Sequence, residues 1–213
     1  MRTSARVIAS CAKGLSIGLL VLVLSACSRT VTWEEEVPLN TGETIWIERE
    51  MKWAMLGALG NPFDIGLRPT REQVIRFKYA GRQYRYAGRA NIRWIAISPE
   101  KRPVLVAKAA DFGWAGDHSF YCVVPYYVQF VSDASGAAWT WPERIDTWLY
   151  RLPANVMTSL PTPSNNSRRY SAVERNVRDE GYRIKVPHGA AIDPNYKESA
   201  CIHKFESANV PSN

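Results

Sequence analysis

The sequence predicts a mainly β fold, either an antiparallel sandwich or an open barrel, with one or two short helices. Two observations lead to this prediction. Apolar and polar residues alternate along several short segments, and turn residues such as Gly, Pro and Asn separate those segments. The chain also has 8 Trp and 10 Tyr, all after residue 27, and this aromatic load argues against a disordered chain.

The first predicted elements are two strands that pair as a hairpin. Residues 31–37 lead into a turn signal at residues 40–42. Along residues 44–55 five apolar residues share one parity, interrupted by Arg49, and this period is typical of a half-buried strand: Ile45, Ile47, Met51, Trp53 and Met55. Residues 56–69 contain three Gly and two Pro and are predicted to form a loop.

The clearest β region follows this loop. In residues 73–79 apolar side chains alternate with basic ones, and residues 80–82 turn the chain into a returning strand through Tyr84 and Tyr86. Further strands are predicted at residues 91–98, 104–108 and 120–131. The last of these carries no charge, so it is predicted to be buried on both faces, with a break at Pro125.

Two segments have helical signals. Pro142 suits a first helical position, and apolar residues then follow at i, i+3, i+4 and i+7 between residues 145 and 152, although a strand through residues 148–150 is the alternative. Ser171 and Glu174 have the spacing of a capping box, and this second helix is predicted to end at Gly181. Residues 182–186 form the last strand candidate.

The first 26 residues are organised like a secretory signal. Residues 1–14 carry three positive charges and no negative one, and residues 15–24 are apolar but too short for the roughly 20 residues of a bilayer span. The apolar run ends in Leu24-Ser25-Ala26-Cys27, which resembles the lipobox of bacterial lipoproteins. The alternatives are an ordinary signal with a chance cysteine and a retained membrane anchor.

The resemblance implies that a signal peptidase cleaves before Cys27 and that the freed cysteine carries diacylglycerol and a third acyl chain. Several chains hold a protein on a membrane firmly, whereas one chain holds it weakly. Ser28, which is not the Asp typical of inner-membrane retention, implies the periplasmic face of the outer membrane, with the inner membrane as the alternative. The mature part is similar to bacterial envelope lipoproteins of about this size, a resemblance that implies no activity.

Four regions are therefore predicted: a signal peptide at 1–26, a lipidated N-terminus and tether at 27–36, a single mainly β domain at 37–205 and a flexible tail at 206–213. The leader takes three of the 27 basic residues with it, which leaves 24 basic and 20 acidic residues, or +4. These basic residues are scattered, so no nucleic-acid partner is predicted.

Two of the four cysteines remain after the leader and the lipidated Cys27 are set aside. An exported protein meets an oxidising compartment, so Cys122 and Cys201 are predicted to form a disulfide, with two separate buried thiols as the alternative. Neither cysteine lies in a CxxC, and His203 adds only one further candidate ligand. No metal site and no cofactor is predicted.

The search for catalytic residues gives three candidates: Asp117 and His118 in a Gly-bearing loop, and His188 in another loop. Adjacency in sequence does not bring the side chains of Asp117 and His118 together as a triad requires, so solvated loop residues are the alternative. The sequence has no GxSxG, no HExxH, no P-loop and no dinucleotide fingerprint. An enzyme is accordingly not the favoured interpretation.

Trp139 and Trp141 are the candidate binding residues, because their spacing places two indoles on one face of a strand. Packing in the core is the alternative. The favoured function is a membrane-anchored, non-catalytic envelope module that binds a protein or a glycan, or that has a structural role. The alternative function is a periplasmic hydrolase that acts on envelope material through one of the histidines.

Overall fold

The computed structural model describes residues 28–58, 61–120, 123–181 and 191–197. Within these ranges the protein is mainly β, with two open sheets and two short helices, which confirms the predicted fold class. The contacts divide the chain into two units. The smaller unit includes the described residues 28–30, 52–58 and 61–70, and the larger unit includes the other described residues.

The strands of the described part are β1 (Ser28–Pro38), β2 (Thr44–Ala58), β3 (Asn61–Tyr79), β4 (Arg82–Gly88), β5 (Ile92–Ile97), β6 (Pro103–Lys108), β7 (Tyr127–Ser132), β8 (Trp139–Thr140) and β9 (Arg168–Tyr170). The helices are α1 (Trp114–Asp117) and α2 (Ala172–Gly181). One sheet has the order β4-β3-β2-β1-β9 and is mixed, because β9 runs parallel to β1. The other sheet, β5-β6-β7-β8, is antiparallel.

Two tight turns in the first sheet form where the sequence predicts them. Between β1 and β2, the backbone N–H of Gly42 donates to the carbonyl of Leu39 at 3.1 Å, and the φ of Gly42 is 88°. Between β3 and β4, Ala80 and Gly81 both have positive φ, 46° and 78°, as a two-residue hairpin turn requires. The predicted hairpin of the first two strands is thereby confirmed.

Two segments that were predicted to be irregular are strands instead. Residues 28–30, which precede the first predicted strand and were assigned to the tether, belong to β1, so this strand begins earlier than predicted. The predicted loop at 56–69 belongs to β2 and β3, apart from residues 59–60, which lie outside the described part. The Gly and Pro residues of this segment favour a loop locally, but pairing between long neighbouring strands overrides that preference.

The main core of the larger unit lies between the two sheets. The first sheet contributes buried apolar side chains that include Val37, Ile47 and Phe77, and the second sheet contributes Leu105 and Val128 among others. The alternation predicted along β2, β3 and β4 points this apolar face inward, because successive side chains of a strand point to opposite faces.

The second sheet is buried on its other face as well. There Val104, Val106 and Tyr127 pack with Ile145 and Leu149, so the prediction of a strand buried on both faces is confirmed for the described residues of β7. Residues 145–149 belong to the segment that was predicted as the first helix, and that prediction is wrong.

The segment contains only a 3₁₀ turn, Thr147–Leu149, and Asp146 has an extended backbone. The reason is a tertiary contact. The amide of Gln129 on β7 donates to the carboxylate of Asp146 at 2.7 Å and accepts from its backbone N–H at 2.8 Å. These two bonds hold the segment flat across the sheet, where Ile145 and Leu149 reach the core without forming a helix.

The predicted capping box of α2 is confirmed. The hydroxyl of Ser171 accepts from the backbone N–H of Glu174 at 3.3 Å, and the carboxylate of Glu174 accepts from the backbone N–H of Ser171 at 2.9 Å. The helix runs to Gly181, as predicted. No helix of the described ranges has the length and apolar character that crossing a bilayer would require.

Candidate functional site

A pocket of about 290 Å³ lies beside β4, α1, β7 and β8, all of which belong to the larger unit. We call it the aromatic pocket. It is lined by Arg85, Tyr86, Gly88, Arg89, Trp114, His118, Phe130, Trp139 and Trp141, together with two alanines. It thus brings together the predicted loop histidine and the predicted pair of tryptophans, which come from separate parts of the chain.

Trp114 forms the buried centre of this aromatic group. Its ring lies edge-on to Phe130 at 5.5 Å and to Trp141 at 5.8 Å, measured between ring centroids. Gly113 precedes it with a φ of 72°, a conformation that suits glycine, and this lets the chain turn into α1. The short helix therefore places Trp114 inward and the residues that follow it at the pocket.

His118 is held in one orientation by Trp114. The two rings are stacked at 4.3 Å, and the imidazole Nδ1 donates to the backbone carbonyl of Trp114 at 3.0 Å. Because a carbonyl oxygen can only accept, Nδ1 carries the proton and the neutral ring keeps Nε2 as its acceptor. The ring of Trp141 lies edge-on to that of His118, with 5.4 Å between their centroids.

Asp117 does not act as the partner of His118. Its carboxylate is bound by the guanidinium of Arg89 at 2.6 Å. The orienting position on the histidine, Nδ1, is occupied by the Trp114 carbonyl. The two sequence candidates are therefore both near the pocket, but they do not form the carboxylate–histidine pair that catalytic triads use.

The two predicted binding tryptophans have different environments. Trp139 is partly buried, and its indole N–H donates to the backbone carbonyl of Arg85 at 2.8 Å, so it ties β8 to the edge of β4. Trp141 is 47% exposed, and its ring lies edge-on to those of Trp114, His118 and Phe130. Packing therefore accounts for Trp139, whereas Trp141 offers a free aromatic surface at the pocket.

The pocket is cationic as well as aromatic. Arg85 is exposed, and Arg89 remains partly exposed beside Asp117. These three groups carry two positive charges and one negative charge, or +1 in total. An arginine can bind a carboxylate through two parallel hydrogen bonds, so the pocket is suited to an anionic ligand.

Tyr86 is a buried residue that lines the pocket. Burial raises the pKa of its hydroxyl, so the group stays a neutral phenol at physiological pH. A Cβ at position 88 would lie 2.5 Å from this hydroxyl oxygen, so only glycine fits there. Gly88, the last residue of β4, is thus required by a close approach of Tyr86.

Sequence reasoning missed the two arginines, Tyr86 and Trp114. The only local sign was the aromatic and basic composition of residues 84–89, which alternation predicted as an ordinary strand. Four predicted site residues, Cys27, Cys122, His188 and Cys201, lie outside the described residues. Among the residues that are described, no group of three or more His, Cys, Asp or Glu could hold a metal ion.

Comparison with known proteins gives no match: no family model, no curated protein and no solved structure is similar to this chain.

Proposed function

We propose that this protein is a bacterial envelope lipoprotein that is anchored by lipid on Cys27 and binds a carboxylated glycan in the aromatic pocket without altering it chemically. The lipobox Leu24-Ser25-Ala26-Cys27 supports the anchor. The pocket supports the binding activity. The periplasmic face of the outer membrane is the proposed location, and envelope glycans are accessible there.

The observation that carries the binding activity is the convergence of Trp141, His118, Arg85 and Arg89 on one pocket. The exposed indole of Trp141 offers a flat apolar surface that the carbon–hydrogen face of a sugar ring can cover. The guanidinium of Arg89, which Asp117 binds at 2.6 Å, supplies charge and further N–H donors for a carboxylate, and Arg85 adds an exposed cation among the lining residues. A few polar groups placed around an aromatic surface are the usual composition of a ligand pocket.

The same geometry favours binding over hydrolysis. A triad needs a nucleophile and a histidine oriented by a carboxylate. Glycoside hydrolysis instead needs two carboxylates that flank the bond. Of the described residues that line the pocket, none is Ser, Thr, Cys, Asp or Glu, and the nearby Asp117 is bound to Arg89. The pocket therefore provides recognition groups rather than a nucleophile and its base.

The binding test uses the disaccharide of N-acetylglucosamine and N-acetylmuramic acid, titrated calorimetrically into the mature protein. Chitobiose is the matched ligand control, because it has similar rings but lacks the lactyl carboxylate. We expect the carboxylated sugar to bind more tightly than chitobiose. We expect Arg85→Gln to reduce that preference, since it removes a cation while keeping the aromatic surface.

Trp141→Ala is expected to weaken binding about tenfold or more, or ~1.4 kcal/mol, because an anchoring aromatic surface is lost. Trp46→Ala is the matched control. Trp46 is 40% exposed, close to the 47% of Trp141, but it lies on β2 against the guanidinium of Arg169. Equal weakening by both variants, or equal affinity for the two sugars, would contradict the proposal.

One observation favours the hydrolytic alternative: the bond from Nδ1 of His118 to the Trp114 carbonyl leaves Nε2 as the ring nitrogen that is not engaged in that bond at the pocket. Incubation of the protein with purified peptidoglycan sacculi separates the two functions. Binding alone predicts that the protein sediments with sacculi and releases no soluble fragments. Fragment release that is lost in His118→Ala would replace the binding proposal with hydrolysis.

A further inference from the structure

The smaller unit has an exposed apolar surface. Among the described residues, Met55 and Leu56 near the end of β2 are 44% and 41% exposed, and Ile65 near the start of β3 is 62% exposed. Soluble proteins rarely leave neighbouring large apolar side chains exposed without a partner. We refer to these three exposed side chains, Met55, Leu56 and Ile65, as the hairpin end.

The composition of β2 changes where the hairpin end begins. Up to Lys52 the outward face of the strand carries charge, at Glu48, Glu50 and Lys52, while the other face is mostly apolar. From residue 53 to residue 67 the only charged residue is Asp64. In a strand pair with one face in water, apolar residues alternate with polar ones. The loss of charged residues on the outward face therefore indicates that this part of the strand pair contacts something other than water.

The start of β1 lies at the same end of the sheet. β1 and β2 are neighbours joined by a tight turn, in which the backbone N–H of Leu39 donates to the carbonyl of Glu43 at 2.7 Å. Ser28 precedes Leu39 by 11 residues and Ala54 follows Glu43 by 11 residues, so an uninterrupted antiparallel pairing from this turn would bring Ser28 opposite Ala54. Residues 28–30 and 52–70 accordingly fall in one unit.

Ser28 directly follows Cys27, the proposed site of lipidation. A lipid on Cys27 would therefore hold the bilayer within about two residues of the hairpin end, or roughly 7 Å at 3.3 Å per residue. Among the described residues of this unit, Arg29, Lys52 and Arg68 outnumber Asp64, which gives them a net charge of +2. Positive charges beside an apolar surface suit the phosphate groups of a bilayer.

We propose that the hairpin end lies in the interface of the phospholipid bilayer that holds the lipid of Cys27. The inference rests on the proposed lipid anchor and goes beyond it. A lipid on Cys27 alone would leave the smaller unit free to rotate on the membrane. A second contact, through the hairpin end, would fix its orientation.

The test places a photoreactive amino acid at position 65 of the mature, lipidated protein in vesicles of phosphatidylethanolamine with a minor share of phosphatidylglycerol. The matched control places it at position 177. Val177 is 64% exposed, close to the 62% of Ile65, but it lies on α2 in the larger unit. Circular dichroism verifies that both variants are folded.

Irradiation is expected to give phospholipid adducts at position 65 at a yield at least tenfold above position 177. Leu56→Glu is expected to lower the adduct yield at position 65 severalfold, because it places a charge in the apolar surface. Equal yields at the two positions, or no adduct at position 65, would overturn the inference.

The mass of the N-terminal peptide separates this inference from the proposed anchor. Lipidated protein without an adduct at position 65 removes the inference and leaves the anchor standing. Protein that lacks lipid on Cys27 but still gives the adduct on added vesicles removes the anchor and leaves the membrane contact of the hairpin end standing.

Discussion

Arg49 is a fully buried cation on the inner face of the first sheet, at the position where it interrupts the apolar parity of β2. Its guanidinium donates to the carboxylate of Glu35 on β1 at 2.9 Å, to the amide oxygen of Gln73 on β3 at 3.2 Å and to the backbone carbonyl of Met157 at 2.7 Å. Glu35 in turn accepts from the backbone N–H of Met157 at 2.6 Å. The pair fastens the chain near Met157 to the sheet.

Arg49→Met is predicted to lower the free energy of unfolding by about 3–5 kcal/mol, because it leaves the Glu35 carboxylate buried without its cation. Adding Glu35→Gln to this variant is predicted to recover part of the loss, since the amide is neutral. Urea unfolding followed by tryptophan fluorescence measures both changes.

Arg76→Met is the matched control for Arg49. Arg76 also lies on a strand of this sheet and binds two carboxylates, those of Glu48 and Glu50, but this group is partly exposed. Its replacement is predicted to cost less than about 1 kcal/mol, as exposed ion pairs do. A similar cost for the two arginines would mean that burial does not determine the contribution of the Arg49 pair.

At the scale of the element, β5 is an edge strand whose outward backbone groups are covered by two asparagine side chains. The amide of Asn155 accepts from the N–H of Ile95 at 2.9 Å and donates to its carbonyl at 2.8 Å. Asn40 forms the same pair with Ile97, at 2.8 Å and 2.9 Å. Each side-chain amide thus forms the two hydrogen bonds that a neighbouring strand would form. The backbone groups of Ile95 and Ile97 are therefore not available to pair with a strand of another chain.

Asn155→Ala is predicted to lower the free energy of unfolding by about 2–4 kcal/mol, because it leaves the N–H and carbonyl of Ile95 buried without partners. Chemical unfolding in urea measures the change. Asn195→Ala, at an exposed asparagine, is the control and is predicted to change stability by less than about 0.5 kcal/mol. A loss for Asn155→Ala as small as the control's would contradict the edge-covering role.

The capping box of α2 predicts a pH dependence. Hydrogen bonds from the backbone N–H and the hydroxyl of Ser171 lower the pKa of Glu174 below its ordinary value of 4.5. A carboxyl group with a lowered folded-state pKa contributes stability above the ordinary value and loses it as the pH falls through the folded-state pKa. The contribution of Glu174 is therefore present at neutral pH and absent in strong acid.

Glu174→Gln is predicted to be less stable than the parent protein at neutral pH, and the difference is predicted to shrink as the pH falls below 4.5. Urea unfolding at several pH values measures this difference. Glu143→Gln, at an exposed glutamate outside the helices, controls for the loss of one negative charge. A difference between Glu174→Gln and the parent that does not change with pH would contradict the assignment.

At the scale of the whole molecule, the predicted disulfide between Cys122 and Cys201 stays a prediction, because both cysteines lie outside the described residues. It would close a loop of roughly 80 residues and contribute about 4.5 kcal/mol in the chain-entropy model. Mass spectrometry after alkylation of the unreduced, denatured protein is predicted to find neither thiol labelled. Labelling of both thiols would support two separate cysteines instead.

The sequence predicted the strands more accurately than their limits. Alternation located β2, β3 and β4, since a strand with one face in the core repeats with a period of two residues. It did not extend β1 back to Ser28 or β3 to Asn61, because glycine, proline and proximity to the leader favoured irregular structure there. Helical spacing at residues 145–152 failed, because apolar residues four apart can also reach a core from an extended segment.

The sequence predicted the candidate site less completely than it predicted the strands. Composition identified His118 and Trp141, but the group that encloses them includes Arg85 on β4 and Arg89 just after it. One of its contacts, from Trp139 to Arg85, joins residues 54 positions apart. Spacing along the chain carries no information about such a meeting, because it depends on how the edges of two sheets approach each other.

The sequence by itself determined the β character of the chain, two tight turns and the cap of one helix, whereas the leader and its cysteine signal stay a prediction. Each of these follows from interactions within a few neighbouring residues. Only the tertiary structure decided that Arg49 meets Glu35 in the core and that an aromatic pocket forms around His118. The physical reason is that burial and long-range contact depend on the packing of the sheets, which no local pattern specifies.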